Sequence, residues 1–432
     1  MSNPVEIAVK GKGLSNLLKR SLAIGRRYGV TPSRMEHALG RFAQVLEDFD
    51  CKATFPLTAW TLARSGGRLE KYQERDIEFA IHGYYHVDYS QLSLDQQLAH
   101  AGKARRAFDA HHLSCKGFRA PYLRYNQDTL LALDKLNFSY DSSQAVAWDV
   151  VDGLETEAYH RVLDFYRARS AEAYVSVPRL VMEDGLVQIP YSLPDDEALV
   201  ERLRLSGAKT KGAVWVEILR RVHELGELFV LGLHPERIAL CEEALRTVLA
   251  EARSLSPPVW IARLDEIADW WRGRAAATYQ VTRLAAGTFR LTVDGPPGVT
   301  VLSRRIEGEA PTEPWFGHDR RVLGTELTFR CDKLPFIGIS PRSSPALVSF
   351  LQQQGYLIVQ DVDVQASECA LYLQRGDFVI GNERALLRRI EEGTWPLLRL
   401  ARWPDGARSA LCITGDIDAL TLWDYVLRVF SS

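Results

Sequence analysis

Between residues 31 and 50, apolar side chains recur every three or four positions. Met35, Leu39, Phe42, Val45, Leu46 and Phe49 would share one face of a helix, and Thr31-Pro32-Ser33 supplies a start signal with proline in the first turn. The pattern predicts helix within 14–50. It then switches to short β-branched or aromatic runs, KATFPLTAW (52–60) and IEFAI (77–81). Helical spacing returns at 92–112 and 126–136, separated by GFRAPY (117–122) and followed by FSYDSS (138–143). Further along, VQIPYS (187–192) reads as strand and 198–225 as helix. LFVLGLHP (228–235) is a continuously apolar strand ending in histidine, before a helix at 238–253 and the run PVWIARL (258–264). Strands apolar on both faces, alternating with helices, predict an α/β fold built on a parallel sheet or barrel.

After about residue 273 the texture changes. ATYQVTRL, TFRLTVDG, VTVLSRR and ELTFRC alternate apolar with polar positions between Gly/Pro turns, which predicts a small antiparallel unit. From 345 the pattern is mixed, with helices at 345–354 and 383–392 and strands near 356–361 and 369–373. The sequence closes on RSALCITGDIDALTLWDYVLRVFSS, in which ALCITG is again a buried-strand type of run.

Composition narrows the class. A chain of 432 residues exceeds one ordinary domain, and 46% apolar with 25% charged residues is enough to bury a large core. Lys+Arg 53 against Asp+Glu 55 leaves a net charge of −2, without the basic footprint of a nucleic-acid binder. The six cysteines are widely spaced with no C-x-x-C, arguing against a disulfide framework or a cysteine-type zinc site. MSNPVEIAVKGKG lacks the apolar core of an export signal, and no run reaches membrane-spanning length. A cytoplasmic enzyme is the expectation. Peripheral contact with a membrane and the oligomeric state are left open.

Several residues could carry chemistry. His82 and His86, in HGYYH directly after IEFAI, are spaced to share one metal ion on a helical turn, although a polar turn at a strand end is the commoner meaning of such a pair. Asp416 and Asp418 follow the strand-like run Leu411–Thr414, and positions i and i+2 of an extended chain point the same way. Those acids could equally cap the helix that follows. His234, at the end of LFVLGL, sits where a general acid would, or is a buried structural histidine. Arg119 and Tyr122 could be a salt bridge and a turn aromatic, and Asp195 or Asp196 a helix cap or an acid that orients a histidine.

HGYYH (82–86), FRAPY (118–122) and GLHP (232–235), in this order and spacing, resemble the polysaccharide deacetylases, the NodB-homology carbohydrate esterases. The resemblance extends over residues 30–270, with KATFPLTAW similar to the family's second strand. It implies a distorted (β/α)7-type barrel and a divalent metal, Zn²⁺ in the first place, on Asp418, His82 and His86. It further implies Asp416 as base with Arg119 beside it, and the Tyr122 backbone N–H as an oxyanion donor. His234 would be the general acid, oriented by Asp195 or Asp196, with Trp148 and Leu233 lining an acetyl pocket. The substrate class is an N-acetylated glycan or lipid-linked sugar.

The family's opening strand, which carries the base and one ligand, is missing from residues 1–51, where LEDFD (46–50) lies on a helix. RSALCITGDIDAL (408–420) resembles it instead, which implies a circular permutation. The expected domains are a barrel at 1–273 lacking its first strand, a β-rich accessory unit at 274–344, an α/β connecting segment at 345–408, and the returning strand and helix at 409–432. HGYYH lacks the Ser or Thr common after the first His, which predicts a lost loop hydrogen bond. D-I-D in place of adjacent acids also occurs in relatives acting on small amides and ureides. An amidohydrolase of ureides or cyclic amides, and a non-catalytic carbohydrate-binding protein, are therefore the alternatives.

Overall fold

A computed structural model describes residues 27–182, 185–360 and 368–430; residues 14–26 of the first expected helix lie outside them. The dominant element is a parallel sheet that curls into an open barrel. Its strands run in the order Arg169–Ser170, Ala145–Ala147, Tyr191–Leu193, Leu228–Leu233, Ser409–Gly415, Ala53–Leu57, Ile77–Ile81, Gly117–Phe118, Tyr140–Asp141, Val187–Gln188 and Arg179–Leu180, and only the last pair is antiparallel.

Ser409–Gly415 lies in the middle of this sheet. It pairs along its length with Leu228–Leu233, and through Ile413 and Thr414 with Ala53 and Thr54. Val259–Ile261 pairs with its first half. All seven of its residues are buried. Period-two alternation sends Leu411 and Ile413 out to the helical layer, while Ala410 and Cys412 face inward with Val230. The helix Ser33–Asp48 covers the outer face with Met35, Leu39, Phe42, Val45 and Leu46, and Phe42 meets Phe55 at 5.1 Å between ring centres. Gly415 has to be glycine, because a Cβ there would come within 2.8 Å of the Phe55 ring.

The same alternation assigns the other strands. Phe229 and Leu231 face the helices, while Leu228 and Val230 face inward. Ile77, Phe79 and Ile81 point outward and Ala80 inward. Glu78, at the amino end of its strand, accepts from Thr54 Oγ1 at 2.7 Å and Tyr140 OH at 2.8 Å, and burial raises its carboxyl to about 8.

Where sequence and structure differ, the causes are local. The helix expected over 198–225 is split into a π-turn at Ala198–Arg202 and a helix at Ala208–Leu225, because Gly207 adopts φ 83° between them. Among the elements that escaped the periodicity are the helix Glu157–Tyr166, the helix Leu264–Ala275, whose arginine start is atypical, and the four-residue strand Leu397–Leu400. That strand pairs with Val301–Arg304, and Leu334–Ile339 pairs with Ile358–Val359 and Cys369–Leu373. The division expected at residue 344 therefore does not coincide with a boundary between sheets. Pairing joins strands from both sides of it.

Among the described residues, no helix is long and apolar enough to cross a membrane. All six cysteines are free.

The central position of Ser409–Gly415 has a measurable consequence. Replacing fully buried Ile413 by alanine is expected to cost about 2–5 kcal/mol in urea unfolding. A chain ended after residue 408 is expected to be recovered aggregated, since two apolar strand edges are left without hydrogen-bond partners.

Candidate active site

The inward positions at the carboxyl ends of three strands converge on one cleft. Continuing the inward series Ala410, Cys412, Thr414 brings Asp416 and Asp418 to the mouth. Ile417 between them turns into the core, with its N–H donating to Pro56 O at 2.7 Å. On Ile77–Ile81, beyond Ala53–Leu57, the series Glu78, Ala80 continues to His82, and on Leu228–Leu233 the inward series continues to His234. The cleft is lined by these residues together with His86, Tyr122 and Asp195.

HGYYH is not a helical turn, as its spacing predicts, but an irregular loop bent at Gly83, φ 77°. Backbone bonds secure it: His82 N–H to Leu57 O at 2.9 Å, Ala59 N–H to Gly83 O at 3.0 Å and Trp60 N–H to Tyr84 O at 2.9 Å. The His100 ring accepts from Tyr85 N–H at 3.3 Å and lies 2.8 Å from the Tyr89 hydroxyl. These contacts hold the loop without a Ser or Thr after the first histidine.

His82, His86 and Asp418 present donor atoms that all lie within 4.8 Å of one another. Asp418 Oδ1 is 3.4 Å from His86 Nε2 and 3.6 Å from His82 Nε2. Both separations are longer than a good hydrogen bond. Metal–ligand bonds of about 2.0–2.2 Å in a tetrahedron put neighbouring donors roughly 3.4 Å apart, so the separations of Asp418 from the two histidines match edges of one coordination shell. His82 Nδ1 is 2.8 Å from Arg119 O, which fixes its tautomer and leaves Nε2 for a ligand. Burial lowers the His82 pKa, against the opposing pull of Asp416 and Asp418, and so favours the neutral imidazole a metal needs. The donor set suits a divalent ion such as Zn²⁺.

Asp416 is held from the other side. Arg119, fully buried, donates from Nη1 to Asp416 Oδ1 at 2.6 Å and to Thr414 Oγ1 at 3.0 Å, and from Nε to Ser142 O at 3.1 Å. Asp416 Oδ2 is 4.0 Å from His82 Nε2, on the side of the three donor atoms. The FRAPY loop is pinned by Ser143 Oγ, which accepts from Ala120 N–H at 2.8 Å while donating to Asp141. Tyr122 adopts a left-handed φ of 60°, and its ring packs on His86 at 4.3 Å. Such a conformation in a tyrosine costs about 1–3 kcal/mol and has to be held by its surroundings.

Of the two candidate acids at 195 and 196, Asp196 meets His234: its carboxylate accepts from Nδ1–H and from the backbone N–H, each at 2.7 Å. Asp195 instead accepts from Tyr191 OH at 2.9 Å and Ala198 N–H at 2.8 Å. Tyr191 reaches it by crossing Gly232, where a Cβ would lie 1.8 Å from the hydroxyl. Burial by itself lowers the His234 pKa, but the Asp196 carboxylate overrides it and raises the imidazole to about 10. Burial beside Asp196 raises Asp195 to about 7.

Trp148 and Leu233 are not brought to this cleft. Leu233 has the opposite parity to His234 and packs among the outer-layer residues, as does Trp148, which lines a different cleft. Sequence reasoning missed Tyr28, Tyr166, Tyr425 and Glu236, all on the cleft wall. Only Glu236 left a signal, being two residues beyond His234. Its Oε1 pairs with Arg237 at 3.0 Å, its Oε2 is buried without a hydrogen-bond partner, and burial raises its pKa.

Residues 32–140 match the family model described as polysaccharide deacetylase, a span that holds His82, His86, Arg119 and Tyr122 but not His234 or the acids at 416 and 418. Over 93 residues the chain is 37% identical to the peptidoglycan deacetylase-like protein FGM2 of Gibberella zeae, a match covering 21% of this chain and 24% of that one. The chain thus spans about a quarter of the length of that curated relative. A solved putative polysaccharide deacetylase from Mycobacterium smegmatis is 22% identical, with 64% of this chain and 92% of that chain covered at a TM-score of 0.45. The structure of PuuE allantoinase is 18% identical, with 59% and 76% covered at a TM-score of 0.43.

The Asp196–His234 pair sets a titration. The His234 ring, followed by NMR, is expected to stay protonated through neutrality and to lose its proton only near pH 10. In Asp196→Asn the attraction is removed and burial remains, so the ring is expected to titrate below about 6.5.

Proposed function

We propose that this chain, whose residues 32–140 are a polysaccharide deacetylase domain, is a metal-dependent hydrolase that removes N-acetyl groups from an N-acetylated glycan or lipid-linked sugar. The observation that carries the reading is the convergence of three donor atoms, an arginine-held carboxylate and a carboxylate-held histidine on one cleft. Ser409–Gly415 supplies Asp416 and Asp418 from the far end of the sequence, parallel to both its neighbours. We read this order as a circular permutation of the family barrel, with the base-bearing strand moved behind the accessory segments.

Asp418, His82 and His86 would hold the ion, which when bound lowers the pKa of a water molecule and polarises the amide carbonyl. Asp416 takes the proton of the attacking water; Arg119 fixes one of its oxygens and leaves Oδ2 on the metal side. The Tyr122 backbone N–H stabilises the developing oxyanion, and the left-handed turn on His86 sets its position. As the C–N bond breaks, His234 donates from Nε2 to the departing amine nitrogen, so that the products are acetate and a free amino sugar. Asp196 holds the Nδ1–H and keeps the ring charged for that transfer. Tyr28, Tyr166 and Tyr425 on the cleft wall offer flat faces for a sugar ring.

The test is acetate release from N-acetylated glycan fragments, read with bound metal. The wild type is expected to carry one divalent ion per chain and release acetate. Asp418→Ala is expected to lose the metal. Asp416→Asn and His234→Ala are expected to keep it, with turnover reduced by about 10²–10⁴. Ureide cleavage without acetate release would overturn the substrate class, and unchanged acetate release in Asp416→Asn would overturn its role as base.

The same assignment sets a pH limit. The acid limb of His234 is lost only as pH rises through about 10, so kcat is expected to fall on that side, and in Asp196→Asn the fall is expected to move to below neutrality.

A further inference from the structure

A second cleft, of about 580 Å³, shares no lining residue with the first. It lies beside Glu227, at the amino end of Leu228–Leu233, whereas His234 stands at the carboxyl end, roughly 20 Å away along the strand. Its walls join the barrel to the accessory segments and carry an excess of buried positive charge.

Five arginines on the cleft wall are almost fully buried: Arg304, Arg384, Arg399, Arg402 and Arg408. Three acids answer them. Glu227 takes Arg384 in a two-pronged pair at 2.8 and 3.0 Å. Asp319 and Glu391 share Arg304 and Arg399, with Arg304 at 2.6 Å from Asp319 and 2.7 Å from Glu391. Five cations against three anions leave two charges over, on Arg402 and Arg408, neither of which forms an ion pair among the described residues.

Both guanidiniums bind carbonyls at the end of the helix Ala208–Leu225. Arg402 donates to Leu225 O at 2.8 Å and Gly226 O at 3.2 Å, and Arg408 to His223 O at 3.1 Å and to Glu224 O. A helix C-terminus supplies about half a negative charge, so the two buried guanidiniums are only partly compensated, the further acids on the wall, Glu172, Glu224 and Glu392, being exposed to solvent. The Arg402 Nε has no hydrogen-bond partner. The Arg408 guanidinium stacks 4.2 Å over the Phe316 ring, which holds it in place but supplies no counter-charge. Burial and the neighbouring Arg399 and Arg402 lower Arg408 to about 9, the direction expected for a cation crowded by others.

We propose that this cleft is a phosphate-binding site whose ligand presents a phosphate group to Arg402 and Arg408. A phosphate monoester carries about −1.5 to −2 charge at pH 7 and three strong acceptor oxygens, which matches the uncompensated charge better than a single carboxylate does. Guanidinium forks bind such groups in a bidentate fashion. The exposed Arg388, 3.9 Å from the equally exposed Glu172, stands on the cleft wall where it can exchange that surface partner for an incoming anion.

Calorimetric titration of the full chain with inorganic phosphate tests this, using Asp418→Asn as the background so that phosphate binding at the other cleft does not contribute. Saturable binding at one site is expected, weakened at least tenfold by Arg408→Gln. Arg388→Glu, on an exposed side chain that does not endanger folding, is expected to weaken it at least threefold. Sedimentation with phosphatidylcholine vesicles, with and without phosphatidic acid, separates the sources. Binding of phosphate alone assigns a free phosphate compound, and sedimentation that requires phosphatidic acid and Arg408 assigns a lipid headgroup. Absence of saturable phosphate binding, or binding unchanged in both arginine variants, would overturn the proposal.

Discussion

The strand Ser409–Gly415 is the constraint on which the rest depends. It fills the gap between Leu228–Leu233 and Ala53–Leu57 and receives Val259–Ile261 against its first half. Without it, two fully buried apolar strands would face each other across an unpaired edge, and each orphaned backbone group would cost about 1–3 kcal/mol. The strand closes the sheet and, by the parity that buries Leu411 and Ile413 outward, carries Thr414, Asp416 and Asp418 to the mouth. Folding and assembly of the cleft are therefore one event, joining parts of the chain more than 300 residues apart.

Around that strand, polar residues are tied so that each presents one atom to the cleft. Arg119 binds Thr414, Asp416 and Ser142 from full burial, and Asp196 spends both oxygens on His234. Bonds of this kind fix rotamers before a substrate arrives, which is the form that preorganised electrostatics takes in a site. The strained backbone at Tyr122 belongs to the same arrangement, locked by its ring on His86 and by the Ser143–Ala120 bond.

Much of this was legible in the sequence because strand parity is strict. HGYYH, GLHP and GDID each end an apolar run, and the carboxyl end of a strand is where a parallel sheet opens. The spacing of Asp416 and Asp418 alone specified a shared direction. Parity also explains what sequence reasoning misplaced: Trp148 and Leu233 are adjacent in sequence to inward positions and so face the other way. Which of Asp195 and Asp196 holds His234 was not legible, since neighbouring acids differ only in which one the backbone turns inward. Tyr28, Tyr166 and Tyr425 carried no signal, because a mouth built from separate segments has no local spacing. The strand Leu397–Leu400 was hidden for the same reason, as its pairing with Val301–Arg304 is wholly non-local.

The central claim, that the far end of the sequence completes a metal centre with the HGYYH loop, is tested most directly by anomalous diffraction at the zinc edge on crystals of the full chain. The account predicts one peak bonded at about 2.0–2.2 Å to Asp418 Oδ1, His82 Nε2 and His86 Nε2. A peak bonded to the two histidines with Asp418 turned away, or none between these three residues in metal-loaded protein, would contradict it.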